Sequence, residues 1–115
     1  MEDFKSHTTL EERRIQSNAI MQKYTNRIPV YVYKHKKSKF EDISKHKFLV
    51  PKDITVGQFI YIIRKHLTLR PDQGIFLFVN NILPPTSVIM SQLYKEHCDS
   101  DGFLYITFSH ENVFG

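Results

Sequence analysis

Residues 47–67 read KFLVPKDITVGQFIYIIRKHL, and the change of period inside this stretch decides the fold class. Lys47-Phe48-Leu49-Val50 is a short strand, stopped by Pro51, which has no N–H to give a sheet ladder. From Asp53 or Thr55 onward the period lengthens. Val56, Phe59, Ile60, Ile63 and Leu67 recur at helical spacing and predict one apolar face. Ile62 and His66 fall beside Phe59 on a flank of that face. A strand that hands over to an amphipathic helix makes this a mixed domain of helix and sheet.

Toward the N-terminus, Ile28-Pro29-Val30-Tyr31-Val32-Tyr33 predicts a strand with the valines on one face and the tyrosines on the other. A basic loop follows it, carrying Lys34, Lys36, Lys37 and Lys39. Residues 8–24 predict a helix. Thr9 caps it, Glu11 and Glu12 sit in its first turn, and Leu10, Ile15, Ala19 and Ile20 form an imperfect apolar stripe. Residues 1–7 read as a shorter helix or a frayed arm.

Toward the C-terminus, Pro71 and Gly74 close the connection after the helix. Ile75-Phe76-Leu77-Phe78-Val79 is a continuous apolar run, which predicts a central strand covered on both faces. Asn80-Asn81 turns the chain and Pro84-Pro85 keeps it extended. Residues 87–96 predict a short helix, and residues 103–108 a last strand with Leu104, Ile106 and Phe108 on one face. A hairpin, a crossover helix, a strand, a short helix and a final strand describe an α+β, ubiquitin-like β-grasp: a four-stranded mixed sheet with an added N-terminal helical segment. The expected organisation is a helical extension over 1–24, the β-grasp over 25–109 and a flexible tail over 110–115.

At 115 residues with 41% hydrophobic and 24% charged side chains, the chain reads as one soluble globular domain. No apolar run approaches the roughly 20 residues that span a bilayer, and residues 1–10 lack the apolar stretch of a secretory signal. The single Cys98 cannot form an internal disulfide, so a cytoplasmic protein is expected. A formal charge of +4 suits acidic peptides, anionic membranes or nucleic acid without choosing among them. His97-Cys98-Asp99 contains thiol-enzyme residue types, but adjacent positions do not converge on one substrate, and no catalytic residue is expected. The scattered histidines have no metal-ligand spacing, and Gly57 and Gly74 are too isolated for a phosphate loop. No nucleic-acid motif accompanies the basic loop with Tyr31 and Tyr33, so no nucleic-acid partner is expected.

Several ordered motifs resemble the autophagy ubiquitin-like modifiers, the family of the GABA-receptor-associated protein and the light-chain-three proteins of microtubules. They are Arg27-Ile28-Pro29-Val30, Lys47-Phe48-Leu49-Val50-Pro51, Thr55-Val56-Gly57-Gln58-Phe59, Ile63-Arg64-Lys65, Phe78-Val79-Asn80-Asn81, Leu83-Pro84-Pro85-Thr86 and Asp101-Gly102-Phe103-Leu104-Tyr105. The resemblance runs from about residue 10 to residue 115. The chain departs from the pattern at Thr25-Asn26, where Pro-Asp is usual, and at His66, where a longer basic residue is common. It also stops at Gly115, where many precursors continue and need a cysteine protease to expose the glycine.

The resemblance implies a substrate role. An activating enzyme would adenylate the Gly115 carboxylate with ATP, and conjugating enzymes would pass it through thioesters to phosphatidylethanolamine. The lipid would be a covalent modification and not a cofactor, and it would hold the protein on autophagosome and vesicle membranes. The resemblance also implies that aromatic-x-x-aliphatic motifs of cargo receptors add as a strand to the sheet edge. The aromatic would meet Ile20, Pro29, Lys47, Leu49 and Phe103. The aliphatic residue would meet Phe48, Val50, Pro51, Ile54, Phe59, Ile62 and Ile63. Phe59 and Ile63 of this set, and Leu49 of the first, also read as plain core. Lys45, Lys47 and Arg64 would receive acidic flanking residues. The competing readings are a non-conjugated adaptor in vesicle trafficking or microtubule association, an enzyme, and a basic RNA-binding domain.

Overall fold

A computed structural model describes residues 3–39 and 41–110; the tail beyond His110, including Gly115, lies outside them. The elements are α1 (Asp3–Ser6), α2 (Leu10–Lys23), β1 (Arg27–Lys34), β2 (Lys47–Pro51), α3 (Val56–Arg64), β3 (Phe76–Phe78), α4 (Met90–His97) and β4 (Leu104–Ser109). Both long helices start on capping boxes. Thr9 exchanges hydrogen bonds with Glu12, and Thr55 does so with Gln58. Thr55 therefore opens α3, and Asp53 does not.

The sheet order is β2-β1-β4-β3, with β1 and β4 parallel and the outer pairs antiparallel. This is the mixed four-stranded β-grasp expected from the element order. Side-chain alternation along β1 splits the interior in two. Val30 and Val32 join Leu104, Ile106 and Phe108 in the main core, where Val56, Phe59 and Ile63 of α3 cover them. On the opposite face, Tyr31 and Phe103 form a smaller cluster with Phe4 of α1, flanked by Ile20, Tyr33 and Tyr105. Phe4 stacks on Tyr31 at 4.8 Å and meets Phe103 edge-on at 5.2 Å.

Two expectations are corrected. The run 75–79 forms an edge strand, not a central one, because β4 takes the position beside β1. Its continuous apolarity reflects burial of Ile75, Leu77, Phe78 and Val79 by side chains, and burial does not require ladder partners on both sides. The helix α2 does not dock through an apolar stripe: Leu10 and Ile15 are exposed, and its buried residues are Arg13 and Ser17. Arg13 Nε donates to Asp101 Oδ2 at 2.9 Å, and Ser17 Oγ donates to the Asp101 carbonyl at 2.6 Å. Asp101 is fully buried, and its other bonds come from the Phe103 N–H and the Tyr105 hydroxyl. The helix is thus held by a satisfied polar network together with Ile20, the residue of the expected stripe that packs on the smaller cluster.

Asn80 and Asn81 both have positive φ, 49° and 62°, and Val79 and Ile82 exchange two 2.9 Å hydrogen bonds across them. This is the two-residue turn that asparagine tolerates better than most residues.

Candidate peptide-docking edge

Among the described residues β2 pairs with β1 alone, so one side of β2 is an open edge. Pro29 decides which backbone groups lie on it. Pro29 stands opposite Leu49 and has no N–H, while the Val32 N–H donates to the His46 carbonyl at 2.8 Å. Hydrogen-bonded pairs alternate in an antiparallel ladder, so they fall at Val30 and Phe48 and at Ile28 and Val50. The N–H and C=O groups of Lys47 and Leu49 therefore point outward. Arg27 reaches over this edge, its Nη1 donating to the Leu49 carbonyl at 3.0 Å.

Apart from Pro51, which by strand alternation falls with Lys47 and Leu49, the two sets of predicted pocket residues separate onto opposite faces of the sheet at β2. On the α2 face, Pro29 and Leu49 are paired neighbours, as are Tyr31 and Lys47, with Ile20 and Phe103 in the same cluster. Leu49 is 37% exposed, Ile20 half-buried and Phe103 buried beneath Phe4. Lys47 Nζ donates to Gln16 Oε1 at 3.0 Å and lies 4.4 Å from the Phe4 ring centre. On the α3 face, Phe48, Val50, Phe59 and Ile63 are buried in the main core. Only Pro51, Ile54 and Ile62 of this set are partly exposed. Ile54 and Ile62 line a shallow hollow with Tyr61 and Thr86.

Phe48 packs edge-on against Phe59 at 5.7 Å and against His66 at 5.3 Å, and Lys45 Nζ lies 4.8 Å from its ring centre. His66 and Lys45 thus cap the ring that the sequence assigned to the second pocket. Among the described residues neither Lys45 nor Lys47 has an ion-pair partner. Arg64 is differently placed: its guanidinium donates to the Gln73 and Arg70 carbonyls and braces the connection after α3.

Sequence reasoning missed Phe4, Gln16 and Arg27 at this edge. A lone aromatic in a polar arm was the signal for Phe4. Arg27 carried none, because its role depends on the register that Pro29 imposes. Around the C-terminal end of α4, His97 pairs with Asn80 and Asp99 with Lys5, while Cys98 is free and exposed. Among the described residues no group of histidine, cysteine and acidic side chains suits a metal, and no helix is long and apolar enough to cross a membrane.

The family described as "Autophagy protein Atg8 ubiquitin like" matches residues 12–115. Autophagy-related protein 8 of Candida glabrata is 54% identical over 112 residues, covering 97% of this chain and 95% of that one. The crystal structure of Trypanosoma brucei ATG8 superposes with a TM-score of 0.89 at 33% identity, covering 92% of this chain and 91% of that one. Plasmodium falciparum Atg8, solved in complex with a Plasmodium falciparum Atg3 peptide, superposes with a TM-score of 0.86 at 37% identity, covering 97% and 98%. The chain belongs to the Atg8 family of ubiquitin-like autophagy proteins.

Proposed function

We propose that this chain is a modifier joined through the Gly115 carboxylate to phosphatidylethanolamine, and that its β2 edge recruits peptides of the form aromatic-x-x-aliphatic. The observation that supports the docking half is that Leu49, with Pro29 opposite it, lies on one face of the sheet, and Phe48 and Val50 lie on the other. Side chains alternate along an extended strand, so residues three apart point to opposite faces. A peptide added along β2 would send its aromatic toward Ile20, Pro29 and Leu49, and its aliphatic residue toward Ile54 and Ile62. The outward backbone groups of Lys47 and Leu49 would align it. Lys45 and Lys47 would draw acidic flanking residues, adding up to about 1 kcal/mol each and weakening with salt. A Plasmodium relative solved with an Atg3 peptide supports a peptide-docking role.

The conjugation half rests on family membership and on glycine at position 115, whose missing Cβ lets the chain enter a narrow enzyme cleft. The chain would be the acyl donor, and the nucleophilic thiolates would belong to the activating and conjugating enzymes.

The test is reconstitution with those enzymes, ATP and phosphatidylethanolamine liposomes, comparing the chain with Gly115→Ala. A lipid-mass adduct that floats with liposomes, lost in the variant, is expected. No adduct on the parent, with a control modifier reacting in the same mixture, would leave a peptide-binding adaptor.

A further inference from the structure

The loop after β1 reads Lys34-His35-Lys36-Lys37-Ser38-Lys39. The whole chain has 16 lysines and arginines against 12 acidic residues, a formal excess of +4. The four loop lysines alone equal that excess, so the rest of the molecule is balanced. Lys36, Lys37 and Lys39 are exposed, and none of the four lysines has an ion-pair partner among the described residues. The nearby acidic residues are Glu41 and Asp42. Asp42 turns one carboxylate oxygen inward, accepting from the Lys34 and Ile43 N–H groups at 2.9 and 2.8 Å. Burial first, then the charges of Lys37 and Lys36, hold His35 below its ordinary pKa, so the loop carries its neutral-pH charge on lysine.

Topology places this loop where the tail leaves the domain. β1 and β4 run parallel, with Lys34 opposite Phe108, so the two strands end on the same side of the molecule. The His35 N–H donates to the Phe108 carbonyl at 2.8 Å, and Ser38 Oγ lies 3.4 Å from His110 Nδ1. The five residues from Glu111 to Gly115 reach at most about 18 Å when extended.

We propose that the loop of Lys34, Lys36, Lys37 and Lys39 is a binding surface for anionic phospholipid headgroups, set beside the tail so that the tethered domain lies with this loop against the bilayer. The tethered orientation rests on conjugation at Gly115; the lipid affinity of the loop does not. Lysines near an anionic surface each strengthen binding about fivefold, within a screening length of about 8 Å at physiological salt.

The first experiment uses the unconjugated chain, so its outcome is separate from that of lipidation. Sedimentation with phosphatidylcholine vesicles, with and without phosphatidylserine, is compared for the parent and for Lys36→Gln, Lys37→Gln, Lys39→Gln together. Partition onto the anionic vesicles only, reduced about a hundredfold in the triple variant, is expected. Equal partition of parent and variant would overturn the proposal. So would an equal loss on changing Lys45 and Lys47 to Gln, which would mean unspecific charge. Equally strong binding to a soluble polyglutamate peptide would assign the loop to acidic proteins instead.

A second experiment tests orientation without enzymes. A chain carrying Cys98→Ser and Gly115→Cys is coupled to maleimide-bearing lipid, and amide exchange is read at residues 35–39. Slower exchange on anionic than on neutral vesicles is expected. Identical exchange would overturn the tethered orientation.

Discussion

Arg27 Nη1 donates to the Leu49 carbonyl at 3.0 Å, across the open side of β2 where a peptide strand could add. That carbonyl points outward because Pro29, opposite it, has no N–H to offer. An exposed edge invites unwanted pairing, and a charged side chain folded over it discourages such pairing. A docking peptide must therefore displace a bond that contributes about 0.5–1.5 kcal/mol. We expect Arg27→Ala to tighten binding of an aromatic-x-x-aliphatic peptide without acidic flanks by about fivefold in calorimetry. Weaker binding would mean that Arg27 contacts the peptide and does not guard the edge.

Neighbouring residues of β2 should separate stability from binding. Phe48 is buried between Phe59 and His66, so Phe48→Ala should cost about 3–5 kcal/mol in denaturant unfolding. Leu49 is partly exposed on the other face, so Leu49→Ala should change stability by under about 1 kcal/mol. It should nevertheless weaken peptide binding about fivefold. Unchanged affinity in Leu49→Ala would remove this strand from the docking site.

The buried pair of Arg13 and Asp101 anchors α2 to the start of β4. Asp101→Ala would strand a buried guanidinium and remove acceptors from the Phe103 amide and the Tyr105 hydroxyl. A loss of about 3–5 kcal/mol in unfolding free energy is expected. A loss below about 1 kcal/mol would show that the network is not needed.

Gly102 has a φ of +90°, and a Cβ there would lie 2.3 Å from Ser17 Oγ, itself bonded to the Asp101 carbonyl. Gly102→Ala should destabilise by about 2 kcal/mol or more. In a Ser17→Gly background the clash disappears and only the backbone strain remains, so the same change should cost less. Additive effects would rule out the contact.

Lys5 fastens α1 to the domain through Asp99 at 2.9 Å. Burial raises the Asp99 pKa, but hydrogen bonds from Lys5 and the Asp101 amide, with the Lys5 charge, outweigh it and hold the group below its ordinary 3.8. A depressed carboxylate stabilises the fold fully above its unfolded pKa and loses that contribution as pH falls through the lower folded value. The clamp should therefore be intact at neutral pH and fail only below about pH 4. Both side chains are partly exposed, so at most about 1 kcal/mol is at stake. Asp99→Asn at neutral pH should speed amide exchange in residues 3–8 with little change in global stability. Unchanged exchange there would mean that Phe4, with the Arg13 bonds to the Lys5 and Thr8 carbonyls, holds the arm without the clamp.

The elements and their faces were legible along the chain because they depend on local chemistry. The Thr9 and Thr55 caps, the alternation of Val30 and Val32 with Tyr31 and Tyr33, the α3 face and the asparagine turn each follow from neighbours within a few residues. Recurring motifs likewise pointed to the family before any contact was known. What the sequence left open depends on which strands meet. Phe76, Leu77 and Phe78 read as a central strand because apolar runs report burial, whereas sheet position depends on where β4 inserts. The α2 face read as apolar because periodicity weighs single residues, while Arg13 and Ser17 become good core residues only with Asp101 in place 88 and 84 positions away. The docking edge follows the same rule. Pro29 and Leu49 are visible in sequence, but only their antiparallel pairing turns the Leu49 carbonyl outward and brings Arg27 onto it. Only the parallel pairing of β1 with β4 sets the basic loop beside the tail.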